Sequence, residues 1–138
     1  MPKIPDLDAP IKPGESSAGI MIGSKIEVLL AQVGLPPSQV VSGFHKLQSA
    51  SVWSARGLVV QIGIYEGYRG LIDGKIGIGS SVPEVEAWCG CKVVEDEEDD
   101  LIAIGRPGWS FETEEWGGDH TVGTNRSARI NAIFVFRT

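Results

Sequence analysis

The stretch that decides the fold is "GIGSSVPEVEAWCGC", which runs from Gly77 to Cys91. An earlier segment, "GSKIEVLLAQVG" from Gly23 to Gly34, aligns without a gap to Gly79–Gly90, 56 residues later. In both segments apolar side chains recur at the three- and four-residue spacing of one helix face. The sequence therefore predicts two short helices in an internal repeat, with units at about 18–74 and 75–138.

The ends of both helices carry the same signals. Ser24 with Glu27, and Ser81 with Glu84, have the spacing of a capping box, in which the serine and the glutamate each bond a backbone amide at the start of the helix. A glycine follows each helix and can take the left-handed conformation that ends it. The preceding glycines do not have phosphate-loop or dinucleotide spacing. A capped structural helix is therefore favoured over the alternative, an anion site at "GIGSS".

The segments around the helices predict strands. Leu58–Ile64 alternates so that one face is apolar, and Asp73-Gly74 lies between two short apolar runs as a hairpin turn does. Residues 130–136 carry apolar side chains on both faces, which predicts a central or covered strand. We therefore predict an α+β fold: an antiparallel sheet built from two tandem strand–helix–β-hairpin units, with both helices packed on one face. Residues 1–17 are predicted to be an extended arm and residues 18–138 a single domain.

Charge and composition narrow the classes of function. The 138 residues carry 18 acidic and 12 basic side chains, a net charge of -6, which disfavours nucleic acid as a partner because phosphate binding requires clustered cations. No apolar run has the length of a membrane helix and no signal-peptide pattern opens the chain, so no membrane partner is expected and the predicted location is the cytoplasm. Cys89 and Cys91 are expected to be reduced there. No cofactor or metal is predicted.

The order of these motifs is similar to a recurrent helix-plus-β-hairpin module: a strand ending in "IGSS", a helix ending in "CG", an acidic loop, "LIAIGRPGWSFE" and "RINAIFVF". It resembles the tandem modules of β-lactamase inhibitory protein and of the small lipoprotein of the outer-membrane β-barrel assembly machine, and bacterial proteins suspected to be toxin-immunity proteins. The resemblance implies a non-catalytic protein that binds another protein across its sheet. It carries over no functional residue, because no inhibitory loop and no lipidation cysteine match.

One aromatic and acidic cluster is the candidate site. Trp109 and Trp116 differ in parity along the predicted strand, so one of them must leave the face that holds Phe111 and could anchor a partner. Glu112 and Glu114 share a face, which together with His120 offers a metal or acid–base site as the alternative. The predicted binding residues are Trp109, Trp116, Glu112, Glu114, His120, Tyr65, Tyr68 and Arg69.

These patterns predict a non-catalytic protein-binding module, immunity- or inhibitor-like, that meets its partner with the sheet face and the 95–100 and 117–127 loops. The acidic run at 95–100 favours a basic protein partner, although a solvated loop would have the same composition. A homodimer formed through the sheet is also compatible with the sequence. The alternative is a small-ligand-binding protein or hydrolytic enzyme, with a pocket between the sheet and the 117–127 loop.

Overall fold

The computed structural model describes residues 4–34, 43–95, 101–113 and 128–137. Within these ranges the chain forms nine strands and two helices. The helices are α1 (Ile26–Val33) and α2 (Val82–Cys89). The strands are β1 (Ser16–Ser17), β2 (Ile20–Met21), β3 (Phe44–Leu47), β4 (Ala50–Ala55), β5 (Leu58–Tyr65), β6 (Val93–Glu95), β7 (Leu101–Ala103), β8 (Trp109–Thr113) and β9 (Ile130–Phe136).

Seven strands form one antiparallel sheet in the order β3-β4-β5-β9-β8-β7-β6. The two longest strands, β5 and β9, pair at its centre with Ile64 opposite Ile133. The apolar residues on both faces of β9 predicted a central strand, and the structure confirms it. β1 and β2 form a separate two-stranded sheet.

The hydrophobic core lies against one face of the large sheet, which we call the core face. Successive side chains of a strand point to opposite faces, so alternate residues of each paired strand enter the core. Val52, Ile62 and Val135 lie there and are fully buried. Burying an aliphatic side chain of this size stabilises the fold by about 1.5–3 kcal/mol. The remaining face of the sheet, which we call the outer face, carries the other half of the strand residues.

The predicted architecture of two strand–helix–β-hairpin units with both helices on one face is wrong. The sheet is continuous over seven strands, and each helix is followed by a meander of three or four strands rather than a hairpin. The short runs ahead of the helices do not enter this sheet, since Ile20–Met21 pairs with β1 and Ile76 forms a bridge with Ile72.

The layer over the core face explains why the prediction failed. Each helix has eight residues and spans about 12 Å, whereas seven strands side by side extend about 29 Å. Two such helices leave much of the face uncovered, and irregular chain completes the layer. The core side chains from irregular segments include Ile11, Ile22, Tyr68, Ile72 and Ile76.

The N-terminal residues that the structure describes belong to this layer, although the sequence predicted an extended arm. Ile11 is 2% exposed, and its N–H donates to the carbonyl of Leu71 at 3.0 Å. The hydroxyl of Tyr68 accepts from the N–H of Ala18 at 2.9 Å and donates to the carbonyl of Ala9 at 2.5 Å. These bonds join residues more than fifty positions apart, which no local pattern announces.

The two helices are anchored to the central strands by matching hydrogen bonds. The N–H of Gly23 donates to the carbonyl of Val59 and the N–H of Gly79 donates to that of Ile130, both at 2.8 Å. Val59 and Ile130 donate in return to the residue after each glycine, at 2.9 and 2.7 Å. These points have the spacing that an internal repeat requires. The predicted repeat boundaries remain a hypothesis.

The predicted helix caps hold in one copy and fail in the other. At α2 the Ser81 hydroxyl accepts from the Glu84 N–H, and the Glu84 carboxylate accepts from the Ser81 N–H, so the capping box is confirmed. At α1 the cap residue is Lys25, without a side-chain bond, and the Ser24 hydroxyl donates to the Met21 carbonyl at 2.6 Å. The capping box predicted at Ser24 is therefore wrong.

The two cysteines are also not the free thiols that the sequence predicted. Cys89 and Cys91 form a disulfide across Gly90. Gly90 ends α2 in the left-handed conformation, at φ 64°. This turn brings the two Cα atoms to 5.2 Å, within the range that a disulfide bridges.

Candidate functional site

The outer face of the sheet carries the candidate site. Strand pairing places Phe44 opposite Trp53, and Gly63 of β5 opposite Phe134 of β9. Tyr65 follows Gly63 two residues later and therefore points to the same face. We call Phe44, Trp53, Tyr65 and Phe134 the aromatic cluster. Phe44 is 38% exposed and the other three rings are partly exposed.

The rings of the aromatic cluster touch one another in sequence across the strands. The centroids of Phe44 and Trp53 are 4.9 Å apart, those of Trp53 and Phe134 6.0 Å, and those of Tyr65 and Phe134 6.2 Å. The last two pairs meet edge to face, a favoured arrangement for aromatic rings. The contacts fix the rings in place before any partner arrives.

A small polar centre lies under the aromatic cluster. Ser51 is fully buried, and its hydroxyl is 2.5 Å from the hydroxyl of Tyr65. A Cβ at Gly63 would lie 2.7 Å from the Tyr65 hydroxyl and 2.9 Å from the Ser51 hydroxyl. Glycine at this position therefore gives the two hydroxyls the space to meet.

The electrostatics of this centre keep the Tyr65 phenol protonated. Burial raises the pKa of Tyr65, the hydrogen bond with Ser51 lowers it, and the negative charge of Glu112 raises it further. Glu112 lies on the same face, opposite Ala132, which in turn lies opposite Tyr65. A neutral, fixed phenol can donate and accept hydrogen bonds but is poorly suited to act as a base at neutral pH.

Two depressions border the aromatic cluster. One, of about 440 Å³, is lined by Phe44, Lys46, Ser49, Tyr65 and Glu66. The other, which we call the apolar groove, measures about 580 Å³ and lies at the β7–β8 turn. Its lining includes Ile102, Ile104, Arg106, Pro107 and Phe136. Ile104 is 53% exposed, an unusual position for a large aliphatic side chain unless it meets a partner.

The structure separates the predicted site residues that it describes. Tyr65 and Glu112 lie on the outer face. Trp109 is 1% exposed on the core face, where its ring stacks on Phe111 at 5.2 Å, so its predicted role as a surface anchor is not supported by its position. Glu114, Trp116, His120, the 117–127 loop and residues 96–100 lie outside the described residues.

Tyr68 and Arg69 hold the N-terminal segment rather than face the aromatic cluster. Tyr68 is 4% exposed and bonds Ala9 and Ala18 as described above. The Arg69 guanidinium donates to both carboxylate oxygens of Asp8, at 2.6 and 3.0 Å. That hydrogen bond lowers the pKa of Asp8, and the same carboxylate raises the pKa of Arg69.

Sequence reasoning noticed Trp53 but missed Phe44 and Phe134 as site residues. The signal was present, because the alternation of β9 assigned Phe134 to a definite face. What was missing was the register that aligns this residue with Gly63 and brings it beside Trp53.

Searches for other kinds of site return little within the described ranges. No group of three or more His, Cys, Asp or Glu side chains is placed there to hold a metal ion. Neither described helix has the length and apolar character needed to cross a membrane.

Comparison with known proteins gives a likeness of fold. No protein-family model matches the chain, and no curated protein matches its sequence. Among solved structures, the chain is similar to the uncharacterized protein yfeY from Escherichia coli, with a TM-score of 0.54 and 13% sequence identity. The alignment covers 98% of this chain and 100% of that one. At such low identity the likeness describes the fold alone.

Proposed function

We propose that the protein is a non-catalytic binding module that docks another protein on the outer face of its sheet. The observation that carries the proposal is the aromatic cluster, because four rings in mutual contact remain partly exposed on a sheet face. Aromatic side chains supply most of the hot spots in protein interfaces, since they bury a large area at little cost in conformational entropy.

The apolar groove adds a second point of attachment. Phe136 and Ile102 lie on the same face as the aromatic cluster, since Phe136 is opposite Gln61 and Ile102 is opposite Val94 at the sheet edge. A volume of about 580 Å³ accommodates one or two large apolar side chains of a partner. A partner that spans both points would cover β5 and β9, where the sheet is longest.

Charge favours a partner whose apolar centre is surrounded by basic side chains. Glu112 lies beside Tyr65 on the outer face, Glu66 borders the smaller depression, and the whole chain carries a net charge of -6. Complementary charge at the rim accelerates association and excludes wrong partners more than it adds affinity. The predicted basic partner, the immunity- or inhibitor-like role and the resemblance to tandem inhibitor modules stay proposals on the same footing.

Site-specific photo-crosslinking in the cells that express the protein tests the proposal. A benzophenone amino acid replaces Phe44, at the edge of the aromatic cluster, or Val28, which is 55% exposed on α1 and serves as the control. We expect the Phe44 position to give a discrete protein adduct that the Val28 position does not give. Identical adducts from both positions, or adducts only from Val28, would contradict the proposal. An adduct with a second copy of the chain would identify the homodimer as the complex.

The small depression beside Tyr65 favours a second candidate, a small-ligand site. Lys46, Glu66 and the Tyr65 hydroxyl line it together with the Phe44 ring, so a polar ligand with one apolar side would find partners there. This site differs from the predicted pocket under the 117–127 loop, which lies outside the described residues. Saturable chemical-shift changes confined to these four residues in a ligand screen would favour it, and a screen without such changes would favour protein docking.

The compartment is part of the same proposal. The sequence predicts the cytoplasm, whereas a persistent disulfide between Cys89 and Cys91 is typical of an oxidising compartment. Alkylation of the thiols at the moment of cell lysis distinguishes the two. Reduced cysteines in living cells would support the cytoplasm, and a fully oxidised pair would contradict it.

A further inference from the structure

We infer that the Cys89–Cys91 pair is a site of reversible thiol–disulfide exchange with a dithiol reductant, rather than a structural cross-link. The inference does not depend on the proposed docking function. The pair lies at the C-terminal end of α2, in the segment "CGC" that the docking proposal does not use.

The size of the loop argues against a structural role. A disulfide stabilises a fold mainly by restricting the unfolded chain, and this effect grows with the number of residues that the bond encloses. Here the bond encloses a single residue, Gly90. Other contacts already fix this turn, because the Gly90 N–H donates to the Glu86 carbonyl at 2.9 Å. The covalent bond therefore adds little constraint to either state of the chain.

The environment allows the bond to open without unfolding the protein. Val82 and Val85 hold α2 in the core and are 1% and 0% exposed. Beyond the cysteines, the N–H of Val93 donates to the Glu86 carboxylate at 3.0 Å, and β6 pairs with β7. Neither set of contacts requires the sulfur–sulfur bond. A folded reduced state is what a reversible site needs and what a small structural disulfide rarely leaves.

The sulfur atoms are also within reach of a reductant. Both cysteines are partly exposed at the surface end of the helix, and the intervening glycine has no side chain to shield them. A thiolate of the reductant attacks one sulfur, and the other cysteine leaves as a thiolate that takes up a proton. The second thiol of the reductant then displaces the mixed disulfide. The protein gains two electrons and two protons, and the reductant becomes a disulfide.

Equilibration in buffers of reduced and oxidised dithiothreitol tests this assignment. After each mixture, free thiols are trapped with iodoacetamide and counted by mass spectrometry, and folding is followed by circular dichroism. We expect a single reversible transition between zero and two trapped thiols, with the urea midpoint of the reduced protein within about 0.5 M of the oxidised one. The Cys91→Ser variant should form a mixed disulfide at Cys89 with oxidised glutathione. The Cys89→Ser/Cys91→Ser variant should trap no thiol and fold as the reduced protein does.

Three results would overturn the inference. The pair could remain oxidised under a hundredfold excess of reduced over oxidised dithiothreitol, which would mark an inert cross-link. The reduced protein and the double serine variant could both lose their circular dichroism spectrum, which would mark a structural bond. The purified protein could fail to form the disulfide with oxidised glutathione, which would mean that the two thiols do not exchange.

Discussion

Removal of one hydroxyl, in Tyr68→Phe, tests whether the N-terminal segment is part of the packed body. The ring of Tyr68 is 4% exposed, and phenylalanine keeps its shape. The lost hydroxyl accepts from the Ala18 N–H at 2.9 Å and donates to the Ala9 carbonyl. Ala18 is fully buried, so its N–H would stay unsatisfied at a cost of about 1–3 kcal/mol. Ala9 is partly exposed and water can replace its partner. We therefore expect a loss of about 2 kcal/mol.

Urea denaturation followed by circular dichroism measures this loss. With a slope of about 2 kcal/mol per molar urea, the midpoint should fall by about 1 M. Tyr65→Phe is the matched control, because it removes a hydroxyl that is shared only with Ser51 and should cost about 1 kcal/mol or less. Amide exchange should also rise at Asp6, whose N–H donates to the Ala18 carbonyl at 2.8 Å. A loss for Tyr68→Phe no larger than that for Tyr65→Phe would refute the reasoning.

Three further predictions follow from single features of the fold. Ser81→Ala should destabilise the protein by about 1 kcal/mol because it removes a helix cap, whereas Ser24→Ala, with the same sequence motif but no capping bond, should cost less than about 0.5 kcal/mol by urea denaturation. Gly63→Ala should cost about 1–3 kcal/mol, since its Cβ would lie 2.7 Å from the Tyr65 hydroxyl; a cost near zero would mean that the outer face relaxes freely. Burial raises the pKa of Tyr65 and of Tyr68 above 10.0, so the folded state holds these protons longer than the unfolded state. Their contribution is complete below pH 10 and is lost as the pH rises through the folded values, so the urea midpoint should fall above pH 10 and fall less steeply in Tyr68→Phe.

The two serine motifs show how far local pattern reaches. The spacing of Ser24 and Ser81 from a glutamate is the same, yet only Ser81 caps its helix. In the first copy Lys25 forms a bridge with Leu58 of the central strand and becomes the cap residue itself. The pattern therefore predicted both helices and both terminal glycines, but a long-range strand contact decided the atoms at one helix start.

The candidate site was predictable in its chemistry and not in its placement. Alternation along a strand correctly put Trp109 and Phe111 on one face, but it cannot say whether that face meets the core or the solvent. That choice depends on the register of neighbouring strands. The register aligns Gly63 with Phe134 and so assembles the aromatic cluster from three separate segments. Sequence alone supplied the aromatic residues without their neighbours.

The affinity of the isolated protein for the partner identified by crosslinking, measured by titration calorimetry, tests the central claim most directly. Trp53→Ala removes the ring that touches both Phe44 and Phe134, and the account predicts at least a thirtyfold loss of affinity, about 2 kcal/mol. Val28→Ala, on the exposed side of α1, should bind as the wild type does. Equal affinities for the wild type and Trp53→Ala, with both proteins folded, would contradict the claim that the outer face is the docking surface.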